Sequence, residues 1–216
     1  MMRLGVLASG SGSNLQAILD ACTSGRIAAH VAVVLCNVPG AKALERAQRA
    51  GAPAVLLPHQ AFASRDAYDA EVVAILRKHG VTLVCLAGFM RLITPVLLGG
   101  FQNRILNIHP SLLPAFPGMH AVRQALAAGV RVSGCTVHVV DEGTDTGPIL
   151  IQAAVPVLDA DTEETLAARI LVQEHRCYPR AIELMAQGRV AIESRRVRIR
   201  ASSDASSVLP SPAFED

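Results

Sequence analysis

The sequence contains no tryptophan, and its aromatic residues amount to only 3%. Proteins that hold single-stranded nucleic acid rely on exposed rings on which bases stack, so this chain lacks the means for that role. No charge sign dominates. The formal net charge is +2, too little to imply a polyanionic partner. Cysteine is sparse and scattered: Cys22, Cys36, Cys85, Cys135 and Cys177 are odd in number and never form a C-x-x-C pair. That argues against a disulfide framework or a zinc ribbon and points to a reducing, cytoplasmic compartment. No stretch approaches the roughly 18 apolar residues of a membrane span. The apolar run near the N-terminus is too short for a secretory signal and leads into a glycine loop where a cleavage site would stand. Internal repeats are absent.

What is present is hydrophobic: 51% of 216 residues, enough for one α/β domain with a sizeable core. The expected organisation is a single domain over residues 1–193. After it, residues 194–216 form a basic segment and then a Ser/Pro-rich tail whose small polar residues predict little order. The alternating R-R-V-R-I-R at its start reads as a short exposed edge strand.

The most informative window is I-L-N-I-H-P-S-L-L-P-A-F-P-G, residues 105–118. Side chains alternate across a strand, so Asn107 and His109 share one face while Leu106 and Ile108 take the other. Pro110 ends the strand, and Pro114 and Pro117 stiffen the loop beyond it. An amide and an imidazole therefore stand at the C-terminal end of a strand, where ligands bind in open α/β sheets. A satisfied structural histidine is the plainer reading of this window alone.

Other segments supply partners for such a site. Residues 3–8 read as a buried strand, S-G-S-G-S-N (9–14) as a glycine loop, and L-Q-A-I-L-D-A-C as a helix. Free N–H groups and the helix dipole at such a junction favour an anion. Gly10 and Gly12 permit close backbone approach, while Ser13 and Asn14 suit helix capping or phosphate donation. The dinucleotide pattern lacks its third glycine, and the second strand ends in Asn37 where an acidic residue would hold a ribose, so a single phosphomonoester is preferred. A plain turn and helix cap is the competing reading.

Arg65 lies in the first turn of a helix capped by Ser64. M-R-L-I (90–93) is an apolar segment at the ligand-binding edge, suited to lining a pocket for a flat ring. The acidic loop D-E-G-T-D-T-G-P (141–148) reads as solvated turn residues unless one carboxylate approaches His109 and favours its charged form. In the last long helix, from Asp161 or Thr162 to about Tyr178, Glu174 falls in the middle of the apolar stripe. That is costly without a partner. Pro179 is expected to kink or break this helix.

Taken together, S-G-S-G-S-N-L-Q-A-I, S-R-D-A-Y-D (64–69), L-A-G-F-M-R-L-I (86–93), N-I-H-P-S-L-L-P-A-F-P-G (107–118), D-E-G-T-D-T-G-P and Q-E-H-R-C-Y-P (173–179) resemble the folate-dependent phosphoribosylglycinamide formyltransferases. The resemblance covers about residues 3–192. It implies a Rossmann-like, mostly parallel α/β sheet with helices on both faces. The implied reaction moves a formyl group from 10-formyltetrahydrofolate to the amine of glycinamide ribonucleotide in purine synthesis, with folate as co-substrate and no metal. It further implies that Gly12, Ser13, Asn14 and Glu174 bind the ribonucleotide. Arg65, Met90, Arg91, Leu92, Ile93 and Asn107 would contact the folate. Asn107, His109 and Asp145 would be catalytic, His109 as general acid held in its charged form by Asp145. The expected partners are these small molecules, with neither nucleic acid nor membrane, in a monomer or homodimer.

Three other readings share parts of this pattern. Methionyl-tRNA formyltransferases resemble the N-terminal half but carry an RNA-binding domain that residues 194–216 are too few to form. A 10-formyltetrahydrofolate hydrolase is expected to carry an N-terminal regulatory domain, whereas the first strand here starts at residue 3. A non-catalytic phosphate-binding module would not need the Asn107, His109 and Asp145 set.

Overall fold

The structure is a computed structural model that describes residues 1–200. The 201–216 part of the expected tail lies outside the described residues. Seven strands form one sheet: β1 (Met2–Ala8), β2 (Ala29–Cys36), β3 (Ala54–Leu56), β4 (Leu83–Leu86), β5 (Ile105–His109), β6 (Val132–Val139) and β7 (Ile149–Pro156), in the spatial order β3-β2-β1-β4-β5-β6-β7. The first five run parallel; β6 is added antiparallel to β5 and β7 antiparallel to β6, so that β6 alone points the opposite way. The strand order reverses at β1, so a crevice opens between the carboxyl ends of β1 and β4.

Among the described residues six α-helices cover the sheet: α1 (Ser13–Thr23), α2 (Lys42–Arg49), α3 (Arg65–Lys78), α4 (Pro95–Gly100), α5 (Ala121–Ala127) and α6 (Glu163–Ala186). The central strand shows why both faces need covering. Leu4, Val6 and Ala8 of β1 join the core shared with α1 and α6, whereas Leu7 joins Tyr68, Val72 and Leu76 of α3 on the other side. A strand apolar on both faces is the sequence signature of a buried parallel sheet.

Three local expectations change. The cap of α1 is Gly12, at φ 69°, and not Ser13 or Asn14. α2 crowds this corner: a Cβ on Gly12 would stand 2.8 Å from the Ala43 Cα. Pro179 lies inside α6 without ending it. The helix buries Cys177, Tyr178, Ala181 and Ile182 around the proline, and that burial offsets the penalty of about 3 kcal/mol that proline carries in a helix interior. The expected boundary at 193/194 falls inside a hairpin, because β8 (Val190–Glu193) pairs antiparallel with β9 (Arg196–Ile199). Its turn touches the main sheet's loops, where Arg195 donates to the Thr146 carbonyl at 3.1 Å. Among the described residues, no helix is long and apolar enough to cross a membrane.

Candidate active site

Two adjoining cavities occupy the crevice. The smaller, about 160 Å³, is lined by Ser9 to Asn14 on one wall and by Ala87, Gly88 and Met90 on the other. The larger, about 900 Å³, extends from the same Gly88 and Met90 past Arg65 and Arg91 to Asn107, His109, His138 and the loop 141–145.

At the glycine loop, the N–H groups of Ser11, Gly12, Ser13 and Asn14 find no hydrogen-bond acceptor among the described residues. They form an unused donor set at the head of α1, the electropositive end of its dipole. The Asn14 side chain turns inward and its amide donates to Glu174 Oε2 at 2.7 Å. Its own Oδ1 is buried without a partner. Glu174 is 7% exposed. Burial pushes its carboxyl above the usual range, against the opposing pull of the Asn14 amide. The inward carboxylate thus has a neutral partner, and among the described residues no cation pairs with it.

The segment after β4 is fixed at both ends. Met90 N–H donates to Ser9 Oγ at 2.9 Å, and Ser9 Oγ donates to Asn37 Oδ1 at 2.6 Å. Thr94 N–H donates to the buried Asp69 carboxylate at 2.6 Å. Between these ties Met90 and Leu92 are 66% and 61% exposed, an apolar rim in need of a ligand surface. The Arg91 guanidinium lies 4.9 Å from the Tyr68 ring centroid, a cation–π arrangement that directs it along the cavity wall.

The polar centre is built by the pairing of β5 with β6. Asn107 stands opposite His138 in the register, and Asn107 Nδ2 lies 3.2 Å from His138 Nε2. Asn107 Nδ2 also reaches Asp145 Oδ1 at 3.4 Å. His138 Nδ1 faces the Val139 carbonyl at 3.2 Å, and a carbonyl can only accept, so Nδ1 carries a proton. Nε2 of that ring then accepts from the Asn107 amide when neutral, and donates to Asp145 Oδ1, 3.5 Å away, when charged.

His109, 5% exposed, is held from both sides. Its Nε2 lies 2.8 Å from the Phe116 carbonyl and its Nδ1 3.3 Å from Asp145 Oδ2. Both neighbours are acceptors, so a ring protonated on both nitrogens satisfies the geometry in full. Asp145 also accepts from Gly118 N–H at 2.8 Å. Burial alone would raise the Asp145 carboxyl. Hydrogen bonding from His138 and Gly118, with the charge of His109, more than offsets this and holds it below the ordinary range. The backbone at Asp145 has φ 55°, the left-handed region that Asp tolerates better than most residues. Gly147 is required two residues on, because a Cβ there would collide with the Val139 carbonyl oxygen.

The family model for formyl transferase matches residues 2–182 of this sequence. The chain belongs to the formyl transferase family. The phosphoribosylglycinamide formyltransferase of Escherichia coli is 46% identical over 189 residues, which cover 88% of this chain and 89% of that protein. The trifunctional purine biosynthetic protein adenosine-3 of Drosophila melanogaster is 49% identical over 192 residues, and there the chain spans only 14% of the relative's length. The crystal structure of glycinamide ribonucleotide transformylase 1 from Symbiobacterium toebii superposes with a TM-score of 0.91 at 60% identity, covering 92% of this chain and 94% of that one. The Rossmann-like sheet expected of the family is the one observed.

Within this formyl transferase fold, the residues singled out from sequence gather in two groups. Gly12, Ser13 and Asn14 line the small cavity, with Glu174 behind them through Asn14. Arg65, Met90, Arg91, Leu92, Ile93, Asn107, His109 and Asp145 line the large one. Sequence reading missed His138, which sits among strand residues that look uniformly buried. It also missed the Phe116 carbonyl and the Gly118 N–H, backbone groups that no residue type announces.

Proposed function

We propose that this chain transfers the formyl group of 10-formyltetrahydrofolate to the amine of N1-(5-phospho-D-ribosyl)glycinamide. The observation that carries the reading is the Asn107, His109 and Asp145 cluster at the end of a large cavity that adjoins a glycine-loop anion cradle. A reaction joining a phosphorylated amine to a formyl donor needs those two features within reach of one another. The enzymes of Escherichia coli and Symbiobacterium toebii, named for this chemistry, support the same conclusion.

The phosphate occupies the cradle formed by Gly12, Ser13 and Asn14, and Glu174 contacts the ribonucleotide. Arg65, Arg91 and the Met90–Ile93 segment hold the folate. The amine nitrogen attacks the formyl carbon, and the carbonyl electron pair moves onto oxygen. Asn107 Nδ2 donates to that oxyanion. Protonated His109 stabilises it and gives its proton to the folate nitrogen as the carbon–nitrogen bond breaks; the attacking nitrogen passes its surplus proton to solvent water, and the neutral imidazole takes a proton back from solvent, which closes the cycle. His109 Nδ1 and Nε2 are both engaged by acceptors of the protein, so one of the contacts to Asp145 and Phe116 opens before the proton moves. No covalent enzyme intermediate is required.

The test mixes the protein with both substrates and follows loss of the formyl group from the folate optically. Deformylation that depends on the ribonucleotide is the expected result. Deformylation in its absence would identify a hydrolase. A folded protein that does neither would leave only a binding module.

A further inference from the structure

The cradle is shaped from outside by a helix that does not line it. Two successive carbonyls of the loop are pulled toward α2: Gly10 O accepts from the Ala43 N–H at 3.2 Å, and Ser11 O accepts from Arg46 Nε at 2.9 Å. The Arg46 Nη1 also donates to Gln16 Oε1 in α1 at 3.1 Å, so one guanidinium spans α2, the loop and the helix behind it. The peptide bonds here are trans, because the one cis bond among the described residues is Leu113–Pro114. In a trans peptide the C=O of one residue and the N–H of the next point in opposite directions. Fixing Gly10 O and Ser11 O toward α2 therefore turns the N–H groups of Ser11 and Gly12 away from it. That side is the cavity, since its lining includes residues 9–14 and none from α2.

We infer that Arg46 is a positioning residue for the phosphate end of the substrate: it holds the Ser11 carbonyl outward so that the Gly12 N–H is presented to the anion. The inference rests on the proposed function and names the residue that pre-sets its anion site. It also accounts for the partners of this guanidinium, a backbone carbonyl and a neutral amide oxygen, where among the described residues no carboxylate forms an ion pair with it. Preorganised donors cost nothing to orient when the ligand arrives, which is where their contribution to affinity lies.

The experiment measures affinity for glycinamide ribonucleotide by calorimetry in the unaltered chain, in Arg46→Met and in Arg46→Lys. KM for each substrate is read separately. Both variants are expected to weaken ribonucleotide binding about tenfold or more, the scale of a lost hydrogen bond to a charged group, with the folate KM unchanged. Lysine should not rescue, because an ammonium cannot reproduce the planar fork that holds Ser11 O and Gln16 together. With the dephosphorylated riboside as ligand, the gap between the unaltered chain and the variants should close. Full affinity in Arg46→Lys would overturn the inference by reducing Arg46 to a diffuse charge. An equal penalty on the riboside would overturn it by revealing general damage. If Arg46→Met does not fold, Arg46→Lys and the riboside comparison still decide. An unaltered chain that fails to bind the ribonucleotide would remove the functional reading itself, and that is seen before any variant is made.

Discussion

Glu174 carries the clearest pH signature of any single residue. Its carboxyl titrates above the ordinary value of 4.5 because it is buried, so the folded state binds this proton more tightly than the unfolded chain does. Stability from this group is therefore full below the unfolded value and falls as pH rises through the raised folded value. Glu174→Gln keeps an acceptor for Asn14 and removes the charge. The variant should lose that part of the decline in unfolding temperature as pH rises above about 4.5, the side on which the upward shift places it. A decline identical to that of the unaltered chain would show that Glu174 is not its source. At the other pole, His109→Ala and Asp145→Ala should each lower kcat at least about a hundredfold, on the scale of oxyanion-hole losses of about 2.7–4 kcal/mol. Near-normal turnover in either purified variant would remove it from the mechanism. Glu174 and His109 stand out in the sequence because each breaks a local rule, a carboxylate in an apolar stripe and an imidazole before a strand-ending proline, whereas Asp145 reads as an ordinary turn residue and is singled out by the family resemblance alone. His138 breaks none. Its role follows from the β5–β6 register that sets it opposite Asn107, and such long-range pairing has no local signal.

At the scale of elements, α6 does more than cover the sheet. The buried Tyr178 hydroxyl lies 3.0 Å from the carbonyls of both Leu86 and Leu106, at β4 and β5 respectively. One phenol thus ties the helix that carries Glu174 to the two strands that lead into the large cavity. Tyr178→Phe should lower stability by about 1 kcal/mol, or about 2–4 °C in melting temperature for a chain of this length. Urea unfolding with an unchanged slope would check that the loss lies in the folded state. Element order was readable from hydrophobic periodicity, glycine stops and caps, since these are local properties. The continuity of α6 through Pro179 was not, because the proline rule is local whereas the burial that overrides it is tertiary. The α1 cap misled for a related reason. Asn14 has the right chemistry for a cap, but its amide is drawn 160 positions along the chain to Glu174.

Across the molecule, the two cavities share, among the described residues, only Gly88 and Met90, and the residues assigned to the two substrates otherwise sit on different elements. Substrate binding at one end should therefore be separable from binding at the other by mutation. A ligand held at about a hundred times its dissociation constant stabilises by about 2.7 kcal/mol, which corresponds to about 5–10 °C here. Ribonucleotide and tetrahydrofolate, a pair with no formyl group to transfer, should each produce such a rise in the unaltered chain. Glu174→Gln should lose most of the ribonucleotide shift and keep the folate shift. Arg91→Ala should do the reverse, since its guanidinium lines only the large cavity. Asp145→Asn preserves a residue that accepts the left-handed backbone at φ 55° and should retain both shifts while losing turnover. A variant that abolished both shifts at once without unfolding would show that the crevice responds as one unit. Catalysis would then depend on a closure that couples its two ends.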